Sequence, residues 1–235
     1  MSHLLSGHGH VAPILGAIRS SVTPAQRGAG TKAVKVLPFV TISREAGVGA
    51  RGIGLALVKL LTERDGQPWM LYDRELVEKV AADHDVERSV VDALEDASHS
   101  WVKDIFASLA SNRDEGNEFR AMRRVAATIR AICEVGRAVV IGRGGAFVTA
   151  KLAGGLHVRL IAPRAYRVNR YARQHGVDAD PAAAEVKRID DNRAAFYKTY
   201  WPARVADPFG FTMTLNIAHH TDEQVARSIL ALVHE

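Results

Sequence analysis

Cysteine is almost absent from this chain: Cys133 stands alone among 235 residues. That excludes an internal disulfide framework and a cysteine-based zinc site, and the expected setting is a reducing, cytoplasmic one. Long apolar runs are also missing. None approaches the roughly 18 residues that a membrane span needs, so no membrane partner is expected. The apolar stretch Val11–Ile18 has no basic segment before it and is interrupted by Pro13, which argues against a secretory leader. Histidines are present but scattered. His3, His8 and His10 lie near the start and His219 and His220 near the end, with no carboxylate spaced to complete a site, so no metal-binding set is read from them.

What remains is ordinary globular material, 47% hydrophobic and 24% charged. Lys and Arg number 31 against 26 Asp and Glu, a formal charge of +5. This basic excess is localised. Residues 1–36 carry Arg19, Arg27, Lys32 and Lys35 and no acid, and they read as a flexible extension rich in Gly, Ser and Ala. Residues 159–204 carry ten basic and five acidic residues, and everything else nets −4. Four charges with no aromatic or motif make poor evidence for nucleic acid, so no long nucleic acid is expected as a partner. Only the second block lies in a stretch whose periodicity predicts a fold.

The organised part is expected to run from residue 37 to 235. Short apolar segments read as strands at Leu37–Ser43, Trp69–Asp73, Arg137–Gly142, Leu156–Ile161 and Phe211–Ile217. Amphipathic stretches between them predict helices over 51–63, from Leu76 onward, through 83–136 with breaks near Ser98 and Gly116, over 164–175 and 181–199, and over 221–234. Strands alternating with helices predict a parallel five-stranded sheet covered on both faces, a three-layer α/β/α arrangement.

Strand, glycine loop and helix in that order make a phosphate site, because helix-start N–H groups and the helix dipole favour an anion. Here the loop is Ser43-Arg44-Glu45-Ala46-Gly47-Val48-Gly49-Ala50-Arg51-Gly52. Spacing alone leaves two readings level. Gly47-Val48-Gly49-Ala50-Arg51-Gly52 matches the dinucleotide pattern G-x-G-x-x-G, with Asp73 at the end of the next strand as a ribose-binding acid. The other reading is a modified P-loop. A standard one ends in Gly-Lys-Ser/Thr, the lysine reaching the phosphates and the hydroxyl holding Mg²⁺. This loop has neither residue in place, and Arg51 is the cation at hand, since guanidinium binds phosphate well.

Arg164, Arg167, Arg170 and Arg173, three residues apart, form a slowly rotating stripe on the helix after Pro163. Asp190 and Arg193 lie one turn apart on the following helix. Alone, such a run is a solvated, salt-bridged face. Following a strand of a sheet whose first strand ends in a phosphate loop, it lies where open α/β sheets bind ligands. Gly142-Arg143-Gly144-Gly145 ends the third strand at the same edge, with Arg143 as a phosphate anchor. Cys133 lies on an apolar helical stretch and reads as core. Phe196, Tyr197, Tyr200 and Trp201 read as packing for the second arginine-bearing helix.

The segments Val40–Arg51, Tyr72-Asp73-Arg74-Glu75-Leu76, Ile141-Gly142-Arg143-Gly144, and Phe196-Tyr197 after Asp190 and Arg193 resemble the cytidylate kinase-like family, from about Val36 to the C-terminus. The resemblance implies a P-loop nucleoside monophosphate kinase fold with a helical monophosphate-binding insertion, about 74–136, and a lid-like segment, about 164–207. It implies transfer of the ATP γ-phosphoryl group to a nucleoside monophosphate, CMP or dCMP, with Mg²⁺. Arg143, Asp190 and Arg193 match monophosphate-binding positions, Asp73 and Arg74 fall where the acceptor site begins, and Arg164, Arg167 and Arg170 fall in the lid. Gly47, Val48, Gly49, Ala50, Arg51 and Gly52 would cradle the donor. The departure is in the loop: the lysine and hydroxyl places are Ala50 and Gly52. A nucleotide-binding sensor on the same fold therefore stands as an alternative to the enzyme, and a nicotinamide-dependent oxidoreductase as another. The acceptor base and the oligomeric state are not legible in the sequence.

Overall fold

The structure, a computed structural model, describes residues 36–83, 116–201 and 207–234. The expected extension and most of the expected insertion, including the break near Ser98, lie outside the described residues. Strand β1 (Phe39–Arg44) leads through the glycine loop into helix α1 (Ala50–Asp65), then come β2 (Met70–Tyr72) and α2 (Arg74–Ala81). Helix α3 (Asn117–Val135) precedes β3 (Ala138–Ile141), a one-turn helix α4 (Gly145–Val148) and β4 (Gly155–Ile161). Helices α5 (Arg164–His175) and α6 (Ala179–Tyr200) follow, then a 3₁₀ turn, β5 (Met213–Asn216) and α7 (Asp222–Leu230).

All strand pairs are parallel, in the order β2-β3-β1-β4-β5. The alternation of side chains along a strand divides the core. Phe39 of β1 and Val140 of β3 face a cluster with Val77, Phe119, Ile129, Phe147 and Trp201 from α2, α3, α4 and the end of α6. Val40, Ile42, Val139 and Ile141 face the other side, against Ile53, Leu57 and Leu61 of α1 and Val225 and Ile229 of α7. Three layers result, as the pattern of short apolar strands implies.

The strand order also decides between the two loop readings. In a dinucleotide fold of order 3-2-1-4-5-6 the second strand lies beside the first; here β3 does, and β2 is outermost. From β1 the chain moves toward β2 on one side, and from β4 it moves toward β5 on the other. The crevice between the carboxyl ends of β1 and β4 is thus the switch point at which such sheets take ligands. The glycine loop and the start of α5 both stand there.

Candidate functional site

The glycine loop is shaped from both ends. Val48 is buried in the core beneath α1 and Ala46 in a small cluster with Val168, Ala182 and Val186 of α5 and α6. Between these anchors Gly47 and Gly49 take positive φ, 78° and 68°, a region that side chains other than glycine disfavour. Gly49 is the N-cap of α1 and makes no side-chain cap. Among the described residues, the backbone N–H groups of residues 47–51 have no protein acceptor. A helix start leaves its first N–H groups unsatisfied, and a run of them in a tight turn is an anion-binding concavity.

A second device fixes the loop's entry. The Ala46 N–H donates to Asp190 Oδ1 at 2.7 Å, the Ala46 carbonyl accepts from Arg167 Nη1 at 3.1 Å, and Arg167 Nη1 meets Asp190 Oδ2 at 2.5 Å. Arg167 also donates from Nε to the Ala162 carbonyl and lies 3.3 Å from Glu45. Its residue is only 8% exposed, so it is consumed in holding residue 46, whose carbonyl it bonds directly and whose N–H it holds through Asp190. The sequence expectation set Arg167 over the phosphates and Asp190 on the acceptor; the geometry puts both on the loop's own backbone.

Arg51 and Asp73 pair with each other across the entrance, and Asp73 also caps α2 by accepting from the Leu76 N–H at 3.0 Å. Arg170 donates from Nη2 to both oxygens of Asp222, at 2.6 and 2.8 Å. Its guanidinium lies against Gly49, where a Cβ would overlap it. Arg164 is exposed at the start of α5 with no partner among the described residues and lines neither cleft of the loop. The three expected lid arginines thus have three different surroundings, because residues three apart on a helix rotate by about 60° at each step.

Beside the loop is an open cleft of about 540 Å³, lined by Arg44, Arg51, Arg74 and Arg193 together with Asp73 and Glu78. Arg143 borders the same group. It sits at φ 52° between Gly142 and Gly144, pairs with Glu78 and lies over the Phe196 ring. Arg74 Nε reaches Glu78 at 3.3 Å, and Arg193 Nη1 donates to the Arg44 carbonyl at 3.2 Å. Arg44 is the residue that motif reading missed. Its guanidinium lies against Gly142 and has no hydrogen-bond acceptor among the described residues. Burial, then the neighbouring Arg193, Arg143 and Arg74 charges, push its pKa down to about 10, although Tyr197 opposes them. Burial also lowers the pKa of Arg143 and Arg193. The only signal for Arg44 in the sequence is its place in the Ser43-Arg44-Glu45 opening of the loop.

Ser43 is not free for the phosphates; its Oγ lies 3.3 Å from the Tyr197 hydroxyl. Trp201 and the Phe147–Phe196–Tyr197 aromatics pack on α4 and brace the Gly142–Gly144 turn, where a Cβ on Gly144 would overlap the indole. Among the described residues no three His, Cys, Asp or Glu side chains cluster as a metal site, and no helix is long and apolar enough to cross a membrane.

A glycine loop at a switch point, with unpaired amides on one side and a guanidinium cluster on the other, defines an α/β protein built to hold phosphates. The chain belongs to the cytidylate kinase-like family, whose model matches residues 39–219, and it has the kinase-like P-loop fold. Among curated proteins none matches it. Among solved structures it is similar to a protein from Eubacterium ventriosum ATCC 27560 described as uncharacterized, with a TM-score of 0.62 and 18% identity over 83% of this chain and 97% of that one. It also matches a shikimate kinase from Bacteroides thetaiotaomicron at a TM-score of 0.42 and 11% identity, over 83% of this chain and 94% of that one. The first of these shows a shared fold.

Proposed function

We propose that this protein is a phosphotransferase that moves the γ-phosphoryl group of ATP to a nucleoside monophosphate, with CMP or dCMP as the acceptor. The observation that carries the reading is that Arg44, Arg74 and Arg193 line one cleft with the glycine loop, whose amides at residues 47–51 are unpaired, and that Arg143 stands beside them on Glu78. Glu78 pairs with Arg74 and Arg143, while Asp190 lies closer to Arg167, at 2.5 Å, than to Arg193, at 4.0 Å. Arg44, Arg143 and Arg193 are half-buried and Arg74 is exposed; like charges gathered at a partly desolvated site disfavour one another unless an anion joins them. A dianionic monophosphate has the charge and the forked geometry for guanidinium.

Phosphoryl transfer asks a protein for positioning and charge neutralisation more than covalent chemistry. The loop amides would hold the donor phosphates, with Arg51 and Arg170 as flanking cations. Arg193 and Arg44 would hold the acceptor phosphate, and Arg143 and Arg74, braced by Glu78, would complete its pocket. Asp73 would orient Arg51 at the entrance, and Asp190 and Arg167 would keep the loop in shape. Family membership implies Mg²⁺. Gly52 offers it no hydroxyl and Ser43 is engaged by Tyr197; the oxygen that fits is the carboxylate of Asp222, whose Oδ2 lies 2.5 Å from where a Gly52 Cβ would stand. Bound there with the nucleotide, the cation would neutralise the donor's phosphate oxygens.

The test is a coupled assay of ADP formation from ATP with each nucleoside monophosphate, on wild type, Arg193→Ala and Arg51→Ala. Pyrimidine-monophosphate-dependent turnover that Arg193→Ala reduces by raising the acceptor KM is expected. ATP binding without turnover on any acceptor would leave the sensor reading in its place.

A further inference from the structure

The loop lacks a lysine and a hydroxyl, yet the two places they would serve are not empty. A standard P-loop carries a lysine directly after its last glycine and a metal-facing hydroxyl directly after that, the places of Ala50 and Arg51; the resemblance to cytidylate kinases sets the hydroxyl's place one residue further on, at Gly52. Beside Gly49, against its Cα, lies the Arg170 guanidinium from α5. Beside Gly52 lies the Asp222 carboxylate from α7, 2.5 Å from the site of an added Cβ. The two side chains are joined to each other, both Asp222 oxygens accepting from the single nitrogen Nη2. Nη1 makes one long contact, 3.4 Å to the Tyr166 hydroxyl. The guanidinium therefore keeps donor capacity, and each carboxylate oxygen keeps a lone pair. A further cavity of about 340 Å³ opens at this point, lined by Gly49, Gly52, Arg170, Arg173, Gln174 and Asp222.

We infer that Arg170 and Asp222 supply, from two helices outside the loop, the phosphate-binding cation and the metal-facing oxygen that a standard loop carries in its own sequence. This rests on the donor-nucleotide reading above. It explains why residue 52 is glycine, since its backbone φ is ordinary and the obstacle to a side chain is the Asp222 oxygen alone. A purely structural account of Asp222 as an acid in the first turn of α7 is insufficient. That helix start is already closed by the Thr221–Gln224 capping box, with both reciprocal hydrogen bonds formed.

A carboxylate beside donor phosphates has a signature that a scaffold residue lacks: it repels the bare nucleotide and attracts the metal complex. The experiment is calorimetric titration of the full chain with ATP alone and with ATP plus Mg²⁺, each variant's folding being checked by its melting temperature. Wild type is expected to bind the Mg²⁺ complex more tightly. Asp222→Asn should lose about tenfold of that Mg²⁺ preference, the scale of one charge-assisted contact, while binding metal-free ATP at least as well as wild type. Arg170→Met should weaken both forms by a similar factor. Gly52→Ser should weaken Mg²⁺-ATP binding through collision with Asp222, and Gly52→Ser combined with Asp222→Ala should restore the Mg²⁺ preference by returning a hydroxyl to the vacated space. Equal weakening of both forms by Asp222→Asn, or no change in either, overturns the inference and leaves the phosphotransferase reading standing. A wild type that binds no ATP removes both. A wild type that binds Mg²⁺-ATP but transfers nothing removes only the transfer.

Discussion

Replacement of Arg167 by methionine tests whether the loop is held as described. Methionine keeps an unbranched apolar stem of similar reach and removes only the guanidinium. In the wild type that group is 10% exposed and faces Asp190 and Glu45, which are 30% and 31% exposed, and it donates to two backbone carbonyls. Removing one partner of a fully buried ion pair costs about 3–5 kcal/mol. Water reaches both carboxylates here, so about 2–3 kcal/mol is the working figure after discounting for screening. At about 2–4 °C per kcal/mol for a domain of this size, the melting temperature should fall by roughly 5–10 °C. Asp190→Asn in the Arg167→Met background should cost little more, giving a coupling of about 1–2 kcal/mol in the double-mutant cycle. ATP affinity should fall with Arg167→Met because the Ala46 peptide is no longer fixed. A melting temperature within about 1 °C of wild type, or additive effects of the two substitutions, refutes the clamp.

Arg44 should behave in the opposite way. Its folded pKa of about 10 lies below the ordinary arginine value, so the fold binds this proton less tightly than the unfolded chain, and at neutral pH the charge opposes folding. Arg44→Met is expected to hold or raise the melting temperature while lowering CMP affinity at least tenfold by titration; parallel loss of stability and binding contradicts this. Inorganic phosphate should raise the melting temperature of wild type and not of Arg44→Met. His157, hydrogen-bonded through Nδ1 to Thr41 Oγ1 at 2.8 Å, has its pKa pushed down to about 4 by burial. The unfolded chain binds that proton below about pH 6.5 and the folded chain does not until about pH 4, so stability falls as pH drops through this window. Urea unfolding should show about 1–2 kcal/mol of this loss, discounted for the ring's partial exposure, and His157→Gln should flatten that part of the profile.

The strands and their order along the chain were legible because each is a short apolar run between turn residues, and all five occur where periodicity predicts, with ends displaced by a residue or two. Strand β5 is shorter than expected, Met213–Asn216 rather than Phe211–Ile217, since pairing with β4 covers only its middle. Helix α4 was not legible. Its glycine start reads as a turn, and burial of Ala146, Phe147 and Val148 makes it helical. Loop, Arg143 and Arg193 were expected from motif and spacing, and the structure brings them near one another. Arg44 and Asp222 were not, because their meaning comes from residues distant in sequence: Gly142 and Arg193 for the first, Gly52 and Arg170 for the second. The arginine stripe was visible, but periodicity does not say which of three rotating positions turns inward. That Arg167 would be the buried one followed from Ala46 and Asp190 together, a conjunction only the fold makes.

Phosphoryl transfer itself is read by a single-turnover experiment with γ-labelled ATP. Enzyme in excess is mixed with labelled ATP, Mg²⁺ and CMP, and the label is followed by chromatography. Label is expected in CDP, at a rate that Arg193→Ala and Arg44→Met lower at subsaturating CMP and that excess CMP partly restores for Arg193→Ala. Label remaining in ATP, or appearing only as free phosphate with every nucleoside monophosphate tried, contradicts this expectation.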